Sequence, residues 1–219
     1  MGVMSLCSKK KISLNYMHIN KAKETPVNRS GPISRLKNQT LHIITGLDTG
    51  GAESMLVKLL VHGNRKNDCV ISLTDIGKQG EILLKNGIQV YAIGMRPGSY
   101  NLKNFFSLLR RIHAINPSKI MGWMYHANIA SLVGKFLFYK NIEILWNIRH
   151  TPYSMEDEKK LTSKVILLGK SLSFIPKKII YNSHVSLSRH ISLGYRSDKN
   201  IVIPNGFDLE LFTPSLKLR

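Results

Sequence analysis

The sequence predicts a doubly wound α/β domain, and two patterns carry that prediction. Short apolar runs recur along the chain, and segments with a helical period lie between them. Near-continuous apolar runs indicate strands that are buried on both faces, as in a parallel sheet covered by helices. The predicted strands are residues 41–45, 69–73, 88–93, 119–124, 142–148, 178–182 and 200–203.

The predicted helices alternate with these strands and comprise residues 52–62, 79–86, 102–115, 127–138, 157–174 and 184–193. Apolar residues recur every three or four positions in them, so each helix is expected to bury one stripe. The clearest inner stripes are Ala52, Met55, Leu56, Leu59 and Leu60; Leu102, Phe105, Phe106, Leu109 and Ile112; and Leu161, Val165, Leu168 and Leu172. This alternation predicts a mostly parallel, Rossmann-like sheet with its ligand site at the carboxyl ends of the strands.

The charge of the chain is strongly positive, because 32 Lys and Arg stand against 13 Asp and Glu to give +19. Residues 1–40 carry eight cations and one acid, and we expect them to form a basic, disordered extension. The remaining residues keep a net charge of +12. Such a surface favours polyanions, anionic lipid or phosphorylated substrates, and a merely solvated basic surface is the alternative. The lysine-rich helix at residues 159–170 has its cations opposite its apolar face, and a solvated face and a membrane-surface contact are the two interpretations.

The cysteines and the apolar runs indicate the compartment. Cys7 and Cys69 provide no framework for disulfides or metal ligands, and Cys69 is expected to be a buried small hydrophobe. No apolar run approaches the roughly 20 residues that span a bilayer. We expect no signal peptide, because Lys9, Lys10 and Lys11 interrupt the apolar stretch soon after MGVMSLC. We therefore expect a cytoplasmic protein.

Polar residues follow five of the predicted strands. They are Gly50-Gly51, Tyr125-His126, Arg149-His150, Asn182-Ser183-His184 and Pro204-Asn205-Gly206. Because the carboxyl ends of parallel strands meet at one edge of a sheet, these loops are expected to converge on one ligand site.

The glycine pair lies between the first predicted strand and the first predicted helix, where backbone N–H groups can point at an anion. The stretch LHIITGLDTGGAESML contains neither G-x-G-x-x-G nor Gly-Lys-Ser/Thr, which argues against a dinucleotide fingerprint and a P-loop. A plain tight turn, with Glu53 complementing the helix dipole, is the alternative.

Two further loops offer side chains with useful chemistry. His126 can donate to a sugar hydroxyl or a phosphate, or exchange protons near neutral pH, and a capping or packing histidine is the alternative. Arg149 offers a forked donor to phosphate or carboxylate beside His150, and a surface salt bridge would explain it equally well. Trp123 and Trp146 precede these two loops and are expected to pack in the core.

Several chemistries have no support in the sequence. It contains no Ser-His-Asp order, no nucleophile elbow, no metal-spaced His/Cys cluster and no recognisable nucleic-acid motif. We therefore expect no metal, no cofactor and no specific nucleic-acid partner.

Five segments carry a resemblance to a known family: LHIITGLDTGGAESMLVKLL, ISLTDIGKQGEILLKNGIQVYAIGM, WMYHANIASLVGK, WNIRHTPYS and IVIPNGFDLELFTP. In order and spacing they resemble the GT-B glycosyltransferases of family 4, a retaining family, over residues 41–214. The resemblance implies the N-terminal, chiefly acceptor-binding half of a two-domain enzyme. Such an enzyme transfers a sugar from a nucleotide-sugar with retention at the anomeric carbon.

The resemblance also implies roles for individual residues. His126 is predicted to be the catalytic histidine, near the transferred sugar. Many relatives carry a histidine slightly earlier, about where Met121 or Trp123 stands. The predicted substrate-binding residues are Gly50, Gly51, Tyr125, Arg149, His150 and Asn205.

The predicted domains are residues 1–40 as an extension, 41–214 as the acceptor-side domain, and 215–219 as the truncated start of a linker or second domain. In this family the second half holds the nucleotide and a pair of glutamates. A truncated chain, a disrupted gene product and a half that pairs with a separate C-terminal donor domain are the alternatives.

We predict sugar transfer from a nucleotide-sugar donor to a lipid-linked or saccharide acceptor. The setting would be surface polysaccharide, lipopolysaccharide or glycolipid assembly, with an anionic membrane surface as a further partner. The protein would then lie at the inner face of the cell membrane. A non-catalytic binding module of the same fold is the first alternative. A sugar-nucleotide epimerase is the second, and the segment IPNGFD argues against it.

Overall fold

A computed structural model describes residues 39–96, 101–137 and 142–206. Its strands form one parallel sheet in the order β3-β2-β1-β4-β5-β6-β7, so the order reverses between β1 and β4. The strands are β1 (Thr40–Ile44), β2 (Cys69–Ser72), β3 (Gln89–Ala92), β4 (Lys119–Trp123), β5 (Glu143–Ile148), β6 (Lys178–Tyr181) and β7 (Asn200–Val202). The predicted doubly wound α/β fold is confirmed.

Helices cover both faces of this sheet. They are α1 (Gly51–His62), α2 (Gly77–Lys85), α3 (Leu102–Ile115), α4 (Met124–Leu137), α5 (Lys160–Leu172) and α6 (His184–Ser192). Parallel strands are joined by right-handed crossovers, and the chain moves in opposite directions on the two sides of β1. The α1–α2 layer therefore lies on one face of the sheet, and the α3–α6 layer lies on the other.

Each layer encloses its own hydrophobic core, because successive strand residues point to opposite faces. In β1, Ile43 points to the α3–α6 layer and Ile44 points to the α1–α2 layer. The core under α1 and α2 also contains Leu56, Leu60, Val70, Leu83 and Trp123. The core under α3 to α6 contains Ile71, Ile112, Ile120, Leu132, Trp146 and Ile166. Both tryptophans are buried, as predicted, and so is Cys69.

The predicted inner stripes are wrong at several positions. Leu59, Leu102, Phe105, Phe106, Leu161 and Leu168 are exposed. In α5 the cause is visible, because Gly169 faces inward against Tyr195. A Cβ atom at Gly169 would lie 2.5 Å from the Tyr195 hydroxyl, which donates to the carbonyl of Ile166 at 2.9 Å. This contact rotates the helix so that Ile166 and Gly169 face the sheet.

The element boundaries differ in two places that affect the site. The helix α4 begins at Met124 instead of residue 127, so Tyr125 and His126 lie in its first turn and not in a loop. The helix α5 begins at Lys160 instead of residue 157. Residues 1–38 and 207–219, which include most of the predicted extension and the predicted linker, lie outside the described residues. Within the described residues, no helix is both long and apolar enough to span a bilayer.

Candidate functional site

The predicted convergence of loops occurs where the strand order reverses. The strand β1 leads through residues 45–50 into α1, and its neighbour β4 leads directly into α4. The N-termini of these two helices therefore flank the crevice in which doubly wound sheets bind ligands. Gly50 and Gly51 stand on one side of the crevice, and His126 stands on the other.

The glycine pair starts α1 and leaves part of its backbone open. Gly50 is the N-cap residue, in extended conformation, and Gly51 is the first helical residue. A Cβ atom at Gly50 would lie 2.2 Å from Oε2 of Glu53, so this carboxylate folds back over the helix start. The tight-turn interpretation is therefore correct for Glu53, which complements the positive end of the helix dipole. A Cβ atom at Gly51 would meet nothing within 4 Å, which leaves that side accessible.

The junction between β4 and α4 is strained. Met124 has a φ angle of 68°, a left-handed conformation that costs a non-glycine residue about 1–3 kcal/mol. Gly122 allows the close approach behind it, since a Cβ atom there would lie 2.7 Å from the Cα atom of Asn128. Asn128 is 2% exposed, and its carboxamide has no hydrogen-bond partner among the described residues. Backbone strain and unpaired buried polar groups both occur preferentially at functional sites, so this junction is a candidate site.

Sequence reasoning missed Met124 and Asn128, which carry these costs. The glycine within a predicted strand was the available signal, because such a residue often marks a close backbone approach. Nothing in the sequence indicated the left-handed Met124.

His126 lies in the first turn of α4 and is half-buried. Burial lowers its pKa, so the imidazole is neutral near pH 7. A neutral imidazole offers one donor and one acceptor, which suits a sugar hydroxyl or the transfer of a proton.

Arg149 connects two separate loops of the rim. Its Nε donates to Oδ1 of Asn147 at 3.1 Å, and its Nη1 donates to Oδ1 of Asn205. Its guanidinium carbon lies 5.7 Å from the centre of the Trp123 ring. Burial lowers the pKa of Arg149. Among the described residues its partners are asparagines and not carboxylates, so the surface salt-bridge interpretation is wrong within this part of the chain.

The loop after β7 folds back toward the first helix. Lys58 in α1 donates from Nζ to the carbonyl oxygen of Gly206 at 3.3 Å. Together with the bond between Arg149 and Asn205, this contact brings the ends of β5 and β7 beside α1. The glycine loop, Arg149 and Asn205 thus belong to one rim.

His150 is paired with an acid at the same rim. Its Nε2 lies 2.5 Å from Oε1 of Glu158, and its carbonyl oxygen accepts from the Ser186 hydroxyl at 2.8 Å. Its ring stands edge-on to the Tyr125 ring at 6.1 Å. The side chain is partly exposed, so it remains accessible to a ligand.

Tyr125 lies below the rim and is 4% exposed. Its hydroxyl lies 2.9 Å from Nε2 of His190, and Nδ1 of His190 lies 2.7 Å from the carbonyl oxygen of Ser186. Because a carbonyl oxygen can only accept a hydrogen bond, neutral His190 donates one from Nδ1 to Ser186. Its Nε2 then accepts a hydrogen bond from the Tyr125 hydroxyl. Burial raises the pKa of Tyr125 and lowers that of His190. Tyr125 therefore supports the rim from inside instead of presenting its hydroxyl there.

A second buried histidine supports the rim from the α1–α2 side. Trp123 donates from Nε1 to Nδ1 of His42 at 3.1 Å, so neutral His42 carries its proton on Nε2, 3.4 Å from Oδ2 of Asp68. Burial is the main cause that lowers the pKa of His42. Although burial raises the pKa of Asp68, hydrogen bonds from His42, Thr40 and Arg65 hold it below its usual value. These hydrogen bonds hold the Trp123 indole in place, and the Arg149 guanidinium lies over that indole.

Neither buried histidine was identified from the sequence. His42 lies within a predicted strand and His190 within a predicted helix, so both were counted as parts of secondary-structure elements. Within the described residues, no group of three or more His, Cys, Asp and Glu side chains is arranged to hold a metal ion.

Comparison with known proteins places the fold. No protein-family model matches the chain, and no curated protein does. Anabaena HepE in complex with UDP and glucose matches 82% of this chain with a TM-score of 0.66 and 21% identity. Sucrose-phosphate synthase from Thermosynechococcus elongatus matches 81% with a TM-score of 0.58 and 13% identity. Staphylococcus aureus MnaA in complex with UDP matches 75% with a TM-score of 0.51 and 12% identity.

The matches cover less of these proteins than of the chain. They span 47% of HepE, 50% of the sucrose-phosphate synthase and 44% of MnaA. The chain has the Rossmann-like fold of one half of a GT-B protein.

Proposed function

We propose that the chain is the acceptor-side domain of a glycosyltransferase that takes its sugar from a nucleotide-sugar. The observation that carries this proposal is the convergence of Gly51, His126 and the Arg149–Asn205 pair at the strand-order reversal of a GT-B half. UDP or a UDP-sugar is bound in the HepE structures of similar fold, which supports a nucleotide-sugar donor. The resemblance of the five sequence segments supports family 4 and retention at the anomeric carbon.

Each polar group of the rim has a role in this proposal. Arg149, fixed in direction by its two asparagines, would bind a phosphate or carboxylate of a substrate. His126 would accept or donate a hydrogen bond at the transferred sugar, and His150 and the open backbone at Gly51 would contact the acceptor. A second half, in the same polypeptide or in a partner, would supply the nucleotide site and the other wall of the cleft.

The acceptor in this proposal is lipid-linked or a saccharide, in the assembly of a surface polysaccharide, lipopolysaccharide or glycolipid. The enzyme would then work at the cytoplasmic face of the cell membrane. The net charge of +19 supports an acceptor that carries phosphate or lies in an anionic bilayer.

A non-catalytic binding module is the second candidate. The contacts of Arg149 with two asparagines and of His150 with Glu158 are compatible with it, since they orient groups for binding and binding alone needs no second half.

Calorimetry and a transfer assay test the two candidates. The chain is titrated with UDP-glucose and a panel of other nucleotide-sugars and acceptor saccharides, alone and with a candidate C-terminal half. Arg149→Gln is expected to weaken substrate binding about tenfold or more, because a charge-assisted bond is lost. Arg196→Gln is the matched control, because Arg196 is exposed, pairs with Asp198 and precedes β7 at the other end of the sheet.

The outcomes separate the candidates. Sugar transfer by the combined halves that falls in the Arg149 and His126 variants, with retained anomeric configuration, supports the transferase. Binding without turnover under every combination supports the binding module. Absence of binding to every nucleotide-sugar and acceptor would contradict both.

A further inference from the structure

The two helix layers differ in the balance of their charged residues. The α3–α6 layer contains eight Lys and Arg and no Asp or Glu within its helices: Lys103, Arg110, Arg111, Lys135, Lys160, Lys164, Lys170 and Arg189. In the α1–α2 layer, Glu53 and Glu81 accompany Lys58, Lys78 and Lys85. The excess positive charge of the described domain is therefore concentrated on one face.

The outer face of α5 is apolar as well as cationic. Leu161, Leu167 and Leu168 are 39%, 48% and 46% exposed, and Lys160 and Lys164 are exposed between them. At 3.6 residues per turn these five side chains fall on one stripe, opposite the buried Ile166 and Gly169. A face that only meets water is normally polar, so three leucines on this stripe indicate a surface that contacts something apolar.

The first two turns of α3 repeat this composition. Leu102 and Phe106 are 74% and 62% exposed, and the exposed Lys103 and Arg110 stand beside them. Both α3 and α5 begin at the carboxyl rim of the sheet, since each follows a strand and runs back along it. The apolar starts of the two helices therefore lie on the same edge of the domain as the candidate site.

We propose that the outer faces of α5 and of the start of α3 dock the domain on an anionic lipid bilayer. Leucine and phenylalanine side chains would enter the boundary between head groups and acyl chains, while lysine and arginine would contact anionic head groups. Positive charge alone would suit a nucleic acid, but exposed leucines add nothing to phosphate binding. The combination of both, on helices that contain no Asp or Glu, fits a lipid surface.

Three acids limit the docking surface at the start of α5. Glu156 and Asp157 are exposed, and Glu158 is paired with His150. They lie toward the rim, so the lipid would approach from the outer face of α5 and not from the loop that precedes it. This arrangement holds the site beside the bilayer without burying His150 in it.

Vesicle flotation tests this proposal. The full chain is mixed with vesicles of phosphatidylcholine alone or of phosphatidylcholine with phosphatidylglycerol, without any sugar donor. We expect binding only to the anionic vesicles and weaker binding as salt is raised. Replacement of Lys160 and Lys164 by Gln is expected to weaken binding about fivefold per lysine. Leu161→Gln with Leu168→Gln is expected to weaken it about tenfold or more.

The α1–α2 layer provides matched controls. Ile82 and Leu84 on α2 are 40% and 44% exposed, close to the exposures of the two leucines. Ile82→Gln with Leu84→Gln, and Lys78→Gln with Lys85→Gln, should leave vesicle binding unchanged. Circular dichroism of every variant checks that the fold is retained.

Four results would overturn the proposal. They are absence of binding to anionic vesicles, equal binding to both vesicle types, equal loss in the α2 controls, and binding of a DNA duplex in place of vesicles. The lipid setting deepens the proposed function, but the assay uses neither donor nor acceptor. A chain that binds vesicles but transfers no sugar even when combined with a C-terminal half would thus contradict the transferase and leave the docking surface standing.

Discussion

The two helix layers pack on the same sheet by the same rules, yet their outer surfaces differ. Each layer buries aliphatic side chains against alternate strand residues, and each core contains one buried tryptophan. Both layers expose some aliphatic side chains, but α1 and α2 mix acids with lysines, whereas α3 to α6 carry only cations among their charged side chains. Packing against the sheet explains only the inner faces, and the proposed lipid contact would explain the difference outside.

The two helix starts that flank the crevice differ in the space around their glycines. The start of α4 packs against Gly122 so tightly that a Cβ atom there would lie 2.7 Å from the Cα atom of Asn128. A Cβ atom on Gly51, at the start of α1, would meet nothing within 4 Å. The rim is thus closely packed at Gly122 and open at Gly51.

Gly122→Ala is expected to have the largest effect on stability among the substitutions that compare the two layers. The added methyl group would overlap backbone atoms, which cannot move away as a flexible side chain can, and overpacking of this kind costs about 1–3 kcal/mol. Urea unfolding measures the change. Gly51→Ala is the control and should change the free energy of unfolding by less than about 1 kcal/mol. Equal losses of unfolding free energy in Gly122→Ala and Gly51→Ala would contradict the difference in packing at these two glycines.

The two buried tryptophans allow a second, smaller test. Trp123→Phe removes the only described donor to Nδ1 of His42, and an unpaired buried acceptor costs about 1–3 kcal/mol. Trp146 donates from Nε1 to the hydroxyl oxygen of Ser131 at 3.3 Å, and that hydroxyl keeps its own bond to the carbonyl of Asn128. Trp146→Phe should therefore lose less unfolding free energy through its missing hydrogen bond than Trp123→Phe does. Thermal unfolding of the pair measures the difference, and a greater loss for Trp146→Phe would contradict it.

The two buried histidines are expected to have the smallest effect on the free energy of unfolding at neutral pH. Their effect is expected to grow as the pH falls. Burial lowers the pKa of His42 on the α1–α2 side and of His190 on the α3–α6 side. The unfolded chain then binds more protons than the folded one once the pH falls below about 6.5, so stability falls with pH there. Asp68, whose pKa is also lowered, loses its contribution only below about pH 4.

Urea unfolding between pH 7 and pH 4.5 measures this dependence. His42→Gln and His190→Gln should each flatten the slope, because each removes one group that must be protonated on unfolding. The slope of the unaltered chain over the same pH range provides the reference. An unchanged slope in both variants of the buried histidines would show that neither of them governs the acid response.

Periodicity predicted the architecture because it records which residues meet the sheet. The seven strands and the helix order follow from alternating apolar runs, and a parallel sheet brings polar residues after strands to one rim. Arg149 and Asn205 were predicted for this rim on that ground, and they meet there across 56 positions of sequence. Their proposed contact with substrate stays a prediction.

The stripe that faces inward was less well predicted. Leucines at three- and four-residue spacing in α5 suggested that Leu161 and Leu168 are buried, but Gly169 packs against Tyr195 and turns them outward. A helix with apolar residues on two faces has no unique inner stripe in its own sequence. The contact of Gly169 with Tyr195 decides how α5 is rotated, and this rotation leaves Leu161 and Leu168 exposed.

The sequence by itself determined the fold class, the order of strands and helices along the chain, and the place of Arg149 and Asn205 after their strands. Only the tertiary structure decided that Tyr125 is sealed beneath the rim by His190, 65 positions away, and that Trp123 is held by His42, 81 positions away. The physical reason is the range of the interactions. Helical and strand periods are local properties of the chain, whereas these hydrogen bonds join residues that become neighbours only after the sheet has formed.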